Sequence, residues 1–463
     1  MVIPERLAPI LDEVRPLAAR FEAAGHRLYL VGGIVRDLVL GRPLRGDIDL
    51  TTDAHPEVTA ALARPWADAV WDQGARFGTI GLKKGTVVFE VTTHRAEAYV
   101  PDSRKPEVSF SAEIDADLGR RDFTVNAMAL RVTGAEGEAP ELIDPFGGVA
   151  DLAASVLRTP LGPEISFTDD PLRMLRAARF IADYGLQPEP ALLQAVRDLV
   201  ARLEIVSAER VRDELCKLVV VEDPTAGLWF LVDTGIADII LPELPAMRVE
   251  QDPIHRHKDV LAHTLAVVAK TSPSLLVRMA ALLHDVGKPK TRSIGPKGVS
   301  FHHHEVVGAR MARDRLRALR FPNDQIEAIT QLVYLHLRFH GYSDEVWSDA
   351  AVRRYVRDAG PLLDELNELT RCDCTTRNER KAKMLSTRMD ALEERIAELR
   401  EREELDSMRP DIDGAAVMAH LGIEPGRAVG EALSMLLEAR LEEGPLGQDE
   451  AYRRLDEWWA ARP

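Results

Sequence analysis

The pattern of apolar and polar positions near the start of the chain predicts a strand that runs directly into a helix. Residues 28–31 (LYLV) form an apolar run as long as a buried strand, and residues 34–40 resume with helical spacing. Gly32 and Gly33 separate the two segments, which predicts a tight turn. Glycine lets a ligand approach the backbone closely, and the amino end of a helix attracts anions, so this turn suits a phosphate group.

A pair of aspartates follows this helix at the spacing of a strand. Asp47 and Asp49 alternate with Ile48 and Leu50. A strand would therefore place both carboxylates on one face and both aliphatic side chains on the other. Two carboxylates at this spacing can share divalent metal ions. Alone, a Gly-Gly pair is usually a turn and an Asp-x-Asp pair a solvated strand end, but the two together are far less ordinary.

The surrounding pattern predicts a small mixed α/β domain. An amphipathic helix is expected within residues 1–25, a short helix at 55–63, and strands at 78–82 and 86–92. In the second of these strands, Glu90 is a third acidic candidate beside the aspartate pair. A carboxylate that faces solvent explains Glu90 equally well.

Three segments after these strands have little periodicity. Residues 96–119 are rich in proline and charge, which predicts a mobile loop over the substrate or an unstructured linker. The segment 120–127 (RRDFTVNA) is expected to begin a helix or strand, and its polar residues are too clustered for simple solvation. Residues 143–151 (IDPFGGVAD) predict a turn between this domain and the next.

From residue 167 the pattern is helical. Thr168 or Asp169 is expected to cap the first helix, and capping alone would explain Asp169. Asp170 and Arg173 are three residues apart, which predicts that they lie side by side on one helix face. Residues 207–218 predict a further helix that begins at a capping serine.

Composition places the chain among globular proteins of several domains. It has 463 residues, of which 46% are hydrophobic and 29% charged, with a net charge of −16. This charge argues against nonspecific polyanion binding by the whole surface, so a nucleic acid must meet a local basic strip. No run of about 18 apolar residues and no signal-peptide pattern is found, which predicts a cytoplasmic protein. Cys216, Cys372 and Cys374 are expected to be reduced thiols, since no second pair completes a zinc site.

Nine of the thirteen histidines fall within residues 252–340: His255, His257, His263, His284, His302, His303, His304, His336 and His340. His284 and Asp285 end an apolar helical segment, and His263 lies in a helical segment before it. Imidazoles with a carboxylate suit divalent transition metals, because neutral nitrogen binds them and the carboxylate balances their charge. A single buried His-Asp pair would more often be structural.

Basic strips occur in the C-terminal half. Arginines spaced by three and four predict one basic helix face, and a second basic segment follows: Arg310, Arg313, Arg317 and Arg320, then Arg371, Arg377, Arg380, Lys381 and Lys383. Such stripes are usually solvated, but in an acidic protein they are where a phosphate backbone would be held. A long charged helix is expected at 384–404 and a helix–turn–helix at 409–430. Trp458 and Trp459 are expected to pack the last helix against a core.

The head motifs resemble the nucleotidyltransferase superfamily that includes DNA polymerase beta. GGIVRD at 32–37 with DIDLTTDA at 47–54 is similar to the signature of its bacterial CCA-adding and poly(A) polymerase branch. RRDFTVNA is similar to the second motif, 143–151 to the third and 207–218 to the last neck motif. TDDPLRMLRAARF at 168–180 resembles the base-selecting motif, with Asp169 in place of the usual Glu.

This resemblance implies the roles of individual residues in the head and neck. Asp47 and Asp49 would be catalytic and would hold Mg²⁺. Arg121 and Asp122 would recognise the ribose, and Asp170 with Arg173 would read the base. The residues implied to bind the nucleotide are Gly32, Gly33, Arg36, Arg121, Asp122, Asn126, Asp170, Arg173, Arg176 and Arg179.

The histidine-rich segment resembles the HD phosphohydrolase domain, through ALLHDVGKP at 281–289 and HHHE at 302–305. The resemblance implies His263, His284 and Asp285 as ligands of a transition-metal ion, with His302 or His303 as a further candidate. A hydrolytic site and a retained scaffold both remain open for this domain.

Together these features predict a multidomain α+β protein in which a small mixed α/β head is followed by all-helical regions. The expected order is a nucleotidyltransferase head at 1–155, a helical neck for base and RNA at 156–245, an HD metal-binding domain at 246–345 and a tRNA-binding tail at 346–463. The expected activity is template-independent addition of CCA to tRNA 3′ ends from CTP and ATP, away from membranes. A poly(A) polymerase, or an HD-type phosphohydrolase with a nucleotide-binding head, is the alternative.

Overall fold

The computed structural model describes residues 7–43, 46–98, 107–249, 259–295, 298–339, 347–374, 379–403, 405 and 408–462. The chain divides into two compact units, Met1–Ile240 and Leu241–Pro463. The predicted head and most of the predicted neck fall in the first unit, and the predicted HD and tail regions fall in the second. In the described residues, no helix has the length and apolar character needed to cross a bilayer.

The first unit contains both strands and helices. Its strands are β1 Leu28–Val31, β2 Ile48–Thr52, β3 Ala69–Trp71, β4 Thr79–Lys84, β5 Val87–Thr93, β6 Arg95–Ala98, β7 Glu107–Phe110, β8 Ala129–Val132, β9 Glu141–Ile143, β10 Val156–Leu157 and β11 Gln187–Pro188. Its helices are α1 Ala8–Ala23, α2 Gly33–Leu40, α3 Pro56–Ala63, α4 Ile114–Gly119, α5 Gly148–Ala154, α6 Pro163–Asp169, α7 Leu172–Tyr184, α8 Pro190–Leu199, α9 Ala208–Val219, α10 Thr225–Asp233 and α11 Ile236–Ile240. The predicted strand–turn–helix at 28–40 is present as β1 and α2.

A seven-stranded mixed sheet forms the head, in the order β3-β4-β5-β2-β1-β8-β9. Strands β2 and β5 pair in parallel, whereas the other neighbours in this sheet are antiparallel. The parallel pair is possible because α3, β3 and β4 provide the long connection that a parallel crossover requires. Strand β1 is central and buried along its whole length, which explains its unbroken apolar run.

Two predictions about residues 96–127 are wrong. The expected loop contains an antiparallel hairpin of β6 and β7 and the helix α4, while residues 99–106 lie outside the described part. The segment 120–127 is neither helix nor strand but a turn with a 3-10 segment, Thr124–Asn126, that leads into β8. Its backbone is shaped by side-chain hydrogen bonds, because the Asp122 carboxylate accepts from the Phe123 N–H at 2.8 Å.

The neck is mainly helical, although the short parallel pair of β10 and β11 departs from the all-helical prediction, and its caps differ. Helix α7 packs against α9 and α10, and its apolar face includes the buried Leu175 and Phe180. Thr168 and Asp169 end α6 instead of capping α7, whose N-cap position is Pro171. The α9 prediction is correct, because the Ser207 side chain accepts from the Arg210 N–H.

The second unit is mainly helical. Its helices are α12 Glu243–Ala246, α13 Val260–Lys270, α14 Leu275–Leu283, α15 Lys288–Thr291, α16 His304–Ala318, α17 Asn323–Leu335, α18 Asp349–Ala359, α19 Leu363–Asp373, α20 Glu379–Arg402, α21 Gly414–Leu421, α22 Arg427–Glu443 and α23 Gln448–Ala460, and β12 Arg292–Gly295 pairs with β13 Gly298–Phe301. The predicted long helix and helix–turn–helix are present as α20, α21 and α22. Trp458 packs against a core formed by α21–α23, and the Trp459 ring lies 6.2 Å from the Trp458 ring.

Candidate active site

The glycine turn between β1 and α2 has a conformation that depends on Gly32. Gly32 has φ +72°, a conformation that favours glycine. A Cβ at Gly32 would lie 3.1 Å from Arg121 Nη1 and 3.8 Å from Asp49 Oδ2. The turn therefore has a guanidinium and a carboxylate beside it, and a side chain at Gly32 would be strained by the positive φ and would press on Arg121.

Three carboxylates cluster on the sheet beside this turn. Asp47 and Asp49 are exposed, while Ile48 and Leu50 between and after them are buried, as the strand period predicts. The parallel register pairs Asp49 with Glu90, so Glu90 lies on the same face. Desolvation raises the pKa of Asp49, Arg121 opposes the shift, and the neighbouring negative charges of Glu90 and Asp47 add to it. In the described head residues, no three potential ligand atoms all lie within 4.8 Å of one another.

Arg121 is held in place by a buried acid. Its Nη2 atom lies 3.1 Å from Asp117 Oδ2, and the Asp117 side chain is fully buried. Burial alone would raise the pKa of Asp117, but Arg121 and Arg120 together lower it. Asp117 was not singled out by the sequence because it lies in a segment whose pattern predicted a loop.

A continuous polar network joins four of the predicted nucleotide-binding residues. Arg36 Nη1 donates to Asn126 Oδ1 at 2.7 Å, and Asn126 Nδ2 donates to Asp122 Oδ1 at 2.9 Å. Asp122 Oδ2 accepts from Arg176 Nε at 2.9 Å and from Nη2 at 2.6 Å. Burial alone would raise the pKa of Asp122, but Arg176 and Asn126 hold it well below its ordinary value. Asp122 is therefore a charged residue in a buried, fully paired position.

The network continues into the neck through Glu214. This carboxylate on α9 is buried, lies 3.6 Å from Arg176 Nη1 and accepts a short hydrogen bond from Arg179. Two aromatic rings of α7 complete the surroundings. The Arg179 guanidinium lies 4.9 Å from the Phe180 ring centre, and that of Arg36 lies 4.2 Å from the Tyr184 ring centre. Glu214 lies in the predicted helix at 207–218, whose residue spacing gave no sign of these partners.

Asp170 and Arg173 are not side by side on one helix. Asp170 lies in the turn before α7, where its Oδ1 accepts from the Leu172 N–H at 3.2 Å and its Oδ2 from Arg210 at 2.7 Å. The buried Arg173 guanidinium instead donates to Ser166 Oγ at 2.9 Å and to the Arg120 carbonyl. The three-residue spacing misled because Pro171 stops α6 and α7 from forming one continuous helix.

The second unit contains a cluster of histidines and aspartates. His263 of α13, His284 and Asp373 have ligand atoms within 4.8 Å of one another. His263 Nε2 lies 2.9 Å from Asp373 Oδ1, and His284 Nε2 lies 3.3 Å from Asp285 Oδ2. The predicted residues His263, His284 and Asp285 are thus brought together, and Asp373 joins them from the end of α19. Asp373 lies between Cys372 and Cys374, which are free thiols, and the sequence pattern did not predict it as a ligand.

A second group of three adjoins the first. Asp285, His304 and His336 are all buried and also have ligand atoms within 4.8 Å of one another. The expectation of His302 or His303 as a ligand is not supported, because both are exposed, whereas the buried His304 has its Nε2 atom 3.4 Å from Asp285 Oδ1. Some of the other predicted basic residues and histidines lie outside the described part of the chain: His255, His257, His340, Arg377 and the side chain of Lys381.

Charge in this cluster is strongly coupled. Burial alone would lower the pKa of His284, but the carboxylates of Asp285 and Asp373 raise it to about 10. Burial and the neighbouring His284 charge lower the pKa of His336 to about 3. Nε2 of His284 is buried and makes no well-aligned hydrogen bond within the described residues. Imidazole nitrogens and carboxylates are the donor set of a divalent transition metal, so these residues fit such an ion.

The predicted basic face is present on α16. Arg310, Arg313 and Arg317 are exposed and make no ion pair within the described part of the chain. Arg371 of the second basic segment is instead neutralised, since its Nη2 lies 2.7 Å from Glu393 and 2.8 Å from Asp390. The α16 face is therefore the better candidate for a phosphate backbone.

Three family models match successive parts of the chain. The poly A polymerase head domain matches residues 28–158. A probable RNA- and SrmB-binding site of polymerase A matches residues 185–247, and the HD domain matches residues 260–399.

Curated relatives cover different shares of the chain. An A-adding tRNA nucleotidyltransferase of Deinococcus radiodurans is 36% identical over 447 residues, which span 93% of this chain and 95% of that protein. A CCA-adding enzyme of Lactiplantibacillus plantarum is 38% identical over 236 residues, which span 51% of this chain and 55% of that protein. The chain thus matches little more than half the length of this second relative.

Solved structures show the same fold. The Bacillus stearothermophilus CCA-adding enzyme in complex with CTP superposes with a TM-score of 0.70 at 24% identity, covering 99% of both chains. The Thermotoga maritima CCA-adding enzyme complexed with tRNA gives a TM-score of 0.60 at 18% identity, covering 99% of this chain and 96% of that one. With the near full-length relative, these matches show that the chain belongs to the bacterial tRNA nucleotidyltransferase and poly(A) polymerase family and carries an HD domain.

Proposed function

We propose that this protein adds the nucleotides C, C and A to the 3′ end of tRNA, using CTP and ATP and no nucleic-acid template. The observation that carries the proposal is the acidic group of Asp47, Asp49 and Glu90 beside the Gly32 turn, where Arg121, held by Asp117, also lies. Family membership sets the reaction class as nucleotidyl transfer.

Asp47 and Asp49 would hold Mg²⁺, with Glu90 adjacent. Carboxylate oxygens suit this hard cation, and the negative charges of Glu90 and Asp47 add to the desolvation that raises the pKa of Asp49. When bound, Mg²⁺ would supply activation of the RNA 3′-hydroxyl and charge neutralisation at the pyrophosphate. The backbone N–H groups at Gly32 and Gly33 would orient the triphosphate at the start of α2.

The ribose and base would be read by the network and by the turn before α7. Asp122, which Arg176 and Asn126 hold in its charged form, would accept from a ribose hydroxyl in exchange for one of its present donors. Cytosine and adenine each present an amino donor beside a ring acceptor, which a carboxylate and a guanidinium complement. Asp170 and Arg173 would meet that edge by exchanging their present partners, Arg210 and Ser166, for the base.

The test is incubation of the protein with tRNA lacking its CCA end and with each nucleoside triphosphate separately, with product length read at nucleotide resolution. We expect two additions with CTP alone and a third only when ATP is also present. Long products from ATP alone would identify a poly(A) polymerase instead.

A second candidate is addition of the terminal A only, which the near full-length Deinococcus radiodurans relative favours. It predicts no incorporation from CTP on tRNA that lacks all three nucleotides. It also predicts one addition from ATP on tRNA that already ends in CC. The same two tRNA substrates therefore separate the candidates.

We propose that the HD cluster binds a transition-metal ion for phosphate-ester hydrolysis, separately from polymerisation. The support is its donor set of histidines and aspartates within the second unit, whereas the acidic group lies in the first. Replacing His284 and Asp285 with Ala should remove metal-dependent phosphatase or phosphodiesterase activity while CCA addition continues. Loss of both would show that the cluster maintains the fold. If phosphate-ester hydrolysis is the main activity of the protein, Asp47→Ala should leave that hydrolysis unchanged.

The exposed arginines of α16 and the C-terminal helices would hold the tRNA body. Arg310, Arg313 and Arg317 are a local basic excess in a chain with a net charge of −16. Since the proposed substrates are tRNA and nucleoside triphosphates, we also propose that the protein works in the cytoplasm.

A further inference from the structure

Four residues form one row across the exposed face of the head sheet. Trp71 of β3 is opposite Gly81 of β4, and Gly81 is opposite Glu90 of β5. Glu90 is in turn opposite Asp49 of β2. Directly opposed residues point their side chains to the same face of a sheet, so the Trp71 indole shares the face of the acidic group. The row therefore joins the candidate catalytic carboxylates to an aromatic side chain at the last strand of the sheet.

The Trp71 indole lies over Gly81. A Cβ at Gly81 would overlap the Cε2 and Nε1 atoms of the indole, so the ring occupies the space that a side chain at this position would take. Gly81 is buried as a result, although its neighbours in the row, Trp71 and Glu90, are exposed. Trp71 itself is 37% exposed. The ring thus extends along the row toward Glu90 and still presents surface to solvent.

The acidic group lies between this ring and the glycine turn. A Cβ at Gly32 would lie 3.8 Å from Asp49 Oδ2, and β1, which leads into the turn, pairs with the edge of β2 that faces away from β5. In the transfer of a phosphoryl group, the attacking and leaving oxygens are roughly in line. With the triphosphate at the glycine turn, the attacking 3′-hydroxyl therefore comes from the side of Trp71.

The separation of the ring from the acids suits a single nucleotide. Gly81, which the ring covers, is two strands from Asp49, or about 10 Å at the usual strand spacing. A terminal ribose with its hydroxyl at the acidic group places its base within this range. Lys83 is two residues along β4 from Gly81, so it lies on the same face, and it is exposed. An aromatic ring beside a cation is a combination that binds single-stranded nucleic acid.

We propose that Trp71 stacks on the 3′-terminal base of the RNA that receives the nucleotide, and so positions its hydroxyl at Asp49 and Glu90. Lys83 faces the phosphate of the same nucleotide. The inference rests on the proposed nucleotide addition and names the binding surface for the acceptor end. Each addition leaves a new terminal base, and a stacking surface accepts all of them because every base has an aromatic face.

The test uses the full-length protein and two acceptor tRNAs without CCA, one ordinary and one whose terminal nucleotide carries no base. Trp71→Leu keeps an apolar side chain over Gly81 but removes the aromatic ring. On the ordinary acceptor it should lower kcat/KM for tRNA by about 10-fold, the effect of losing one base–aromatic stack. On the baseless acceptor, Trp71→Leu and the parent should be equal. Trp71→Phe retains a ring and should restore most of the activity on the ordinary acceptor.

A binding measurement without nucleoside triphosphate or metal separates this inference from the proposed function. With 2-aminopurine as the terminal base of the acceptor, its fluorescence should be quenched by the parent and by Trp71→Phe, and much less by Trp71→Leu. Leu142→Ala is the matched control, because Leu142 is 38% exposed on β9, at the opposite end of the strand order, and should change neither measurement.

Two results would overturn the stacking contact. One is an equal loss of activity on both acceptors in correctly folded Trp71→Leu, which would make Trp71 a structural residue. The other is unchanged quenching in the same variant. Quenching that depends on Trp71 in a parent protein that adds no nucleotide would support the binding surface and overturn the proposed function instead.

Discussion

Replacing Asp122 with Asn tests whether the buried network determines the stability of the head and neck. The carboxylate is 8% exposed and accepts from the Phe123 N–H, from Asn126 and twice from Arg176. Asparagine has nearly the same shape, but it removes the charge and places an N–H₂ group among donors. The substitution therefore leaves the Arg176 guanidinium with Glu214, which lies 3.6 Å from its Nη1, as its remaining carboxylate partner.

The expected cost follows from burial. Removing one partner of a buried ion pair costs about 3–5 kcal/mol. The Arg176 side chain is 29% exposed, so water recovers part of its solvation, and we expect the lower limit of about 3 kcal/mol. For a unit of this size, about 2–4 °C of melting temperature is lost per kcal/mol, which gives a decrease of about 6–12 °C.

The assay is thermal unfolding of the full chain, with hydrogen exchange of α7 and α9 to identify the affected unit. Asp183→Asn is the matched control, because Asp183 is also on α7 but forms a half-exposed pair with Arg42 at 3.3 Å. Such a pair contributes about 0–1 kcal/mol. Equal decreases in melting temperature for the two variants would refute the reasoning.

The same network predicts a dependence on pH. The pKa of Asp122 is lower in the folded protein than its ordinary value of about 3.9 in an unfolded chain. Its stabilisation is therefore complete above the unfolded pKa and is lost as the pH falls toward the folded pKa. Between pH 5 and pH 3, the stability difference between the parent and Asp122→Asn should shrink, and a constant difference would contradict this assignment.

Other predictions concern the acidic group, the base-reading turn and the basic helix. Asp49→Asn should lower nucleotide addition by at least about 10³-fold with little change in melting temperature, if metal binding is lost. Glu90→Gln should move the acid limb of the pH–rate profile to lower pH, because it removes a negative charge that raises the pKa of Asp49; an unmoved limb would argue against their proximity. Asp170→Ala should weaken the preference for CTP and ATP over UTP and GTP on truncated tRNA, and unchanged selectivity ratios would show that the base is read elsewhere. Replacing Arg310, Arg313 and Arg317 of α16 together with Ser should reduce the slope of log binding constant for tRNA against log salt concentration by about 2–3. Replacing the ion-paired Arg453 with Ser should leave this slope unchanged.

The sequence predicted the local elements that carry the chemistry but not the long-range partners. The strand–turn–helix, the aspartate strand and the capped helix α9 each depend on residues close in sequence, whose spacing is visible. Asp373 is 88 residues beyond Asp285 along the chain, and its place among cysteines obscured it. No periodicity links two such positions, because helix packing brings them together.

Two predictions from the sequence, the shared helix face of Asp170 and Arg173 and the loop at residues 96–119, were wrong for local reasons. Proline at 171 separates two helices that the apolar pattern alone would join, so Asp170 turns toward Arg210. The segment before 119 forms a hairpin and a short helix from residues with little amphipathic pattern, and its Asp117 is stabilised by Arg120 and Arg121 instead of by apolar burial. Patterns of apolar residues do not report stabilisation by ion pairs.

The pairing of β5 on both of its edges restricts which changes in chain length the protein can accept. β5 is in register with β2 on one side and with β4 on the other. Deleting one residue within it would turn every following side chain to the opposite face, so Glu90 would enter the core while Val91 left it. Insertions are better accommodated in the turn at Gly85 and Thr86, which lies beyond the last residue pair of the β4–β5 register. Natural variation in length should therefore concentrate in this hairpin turn, and libraries that lengthen the protein should begin there.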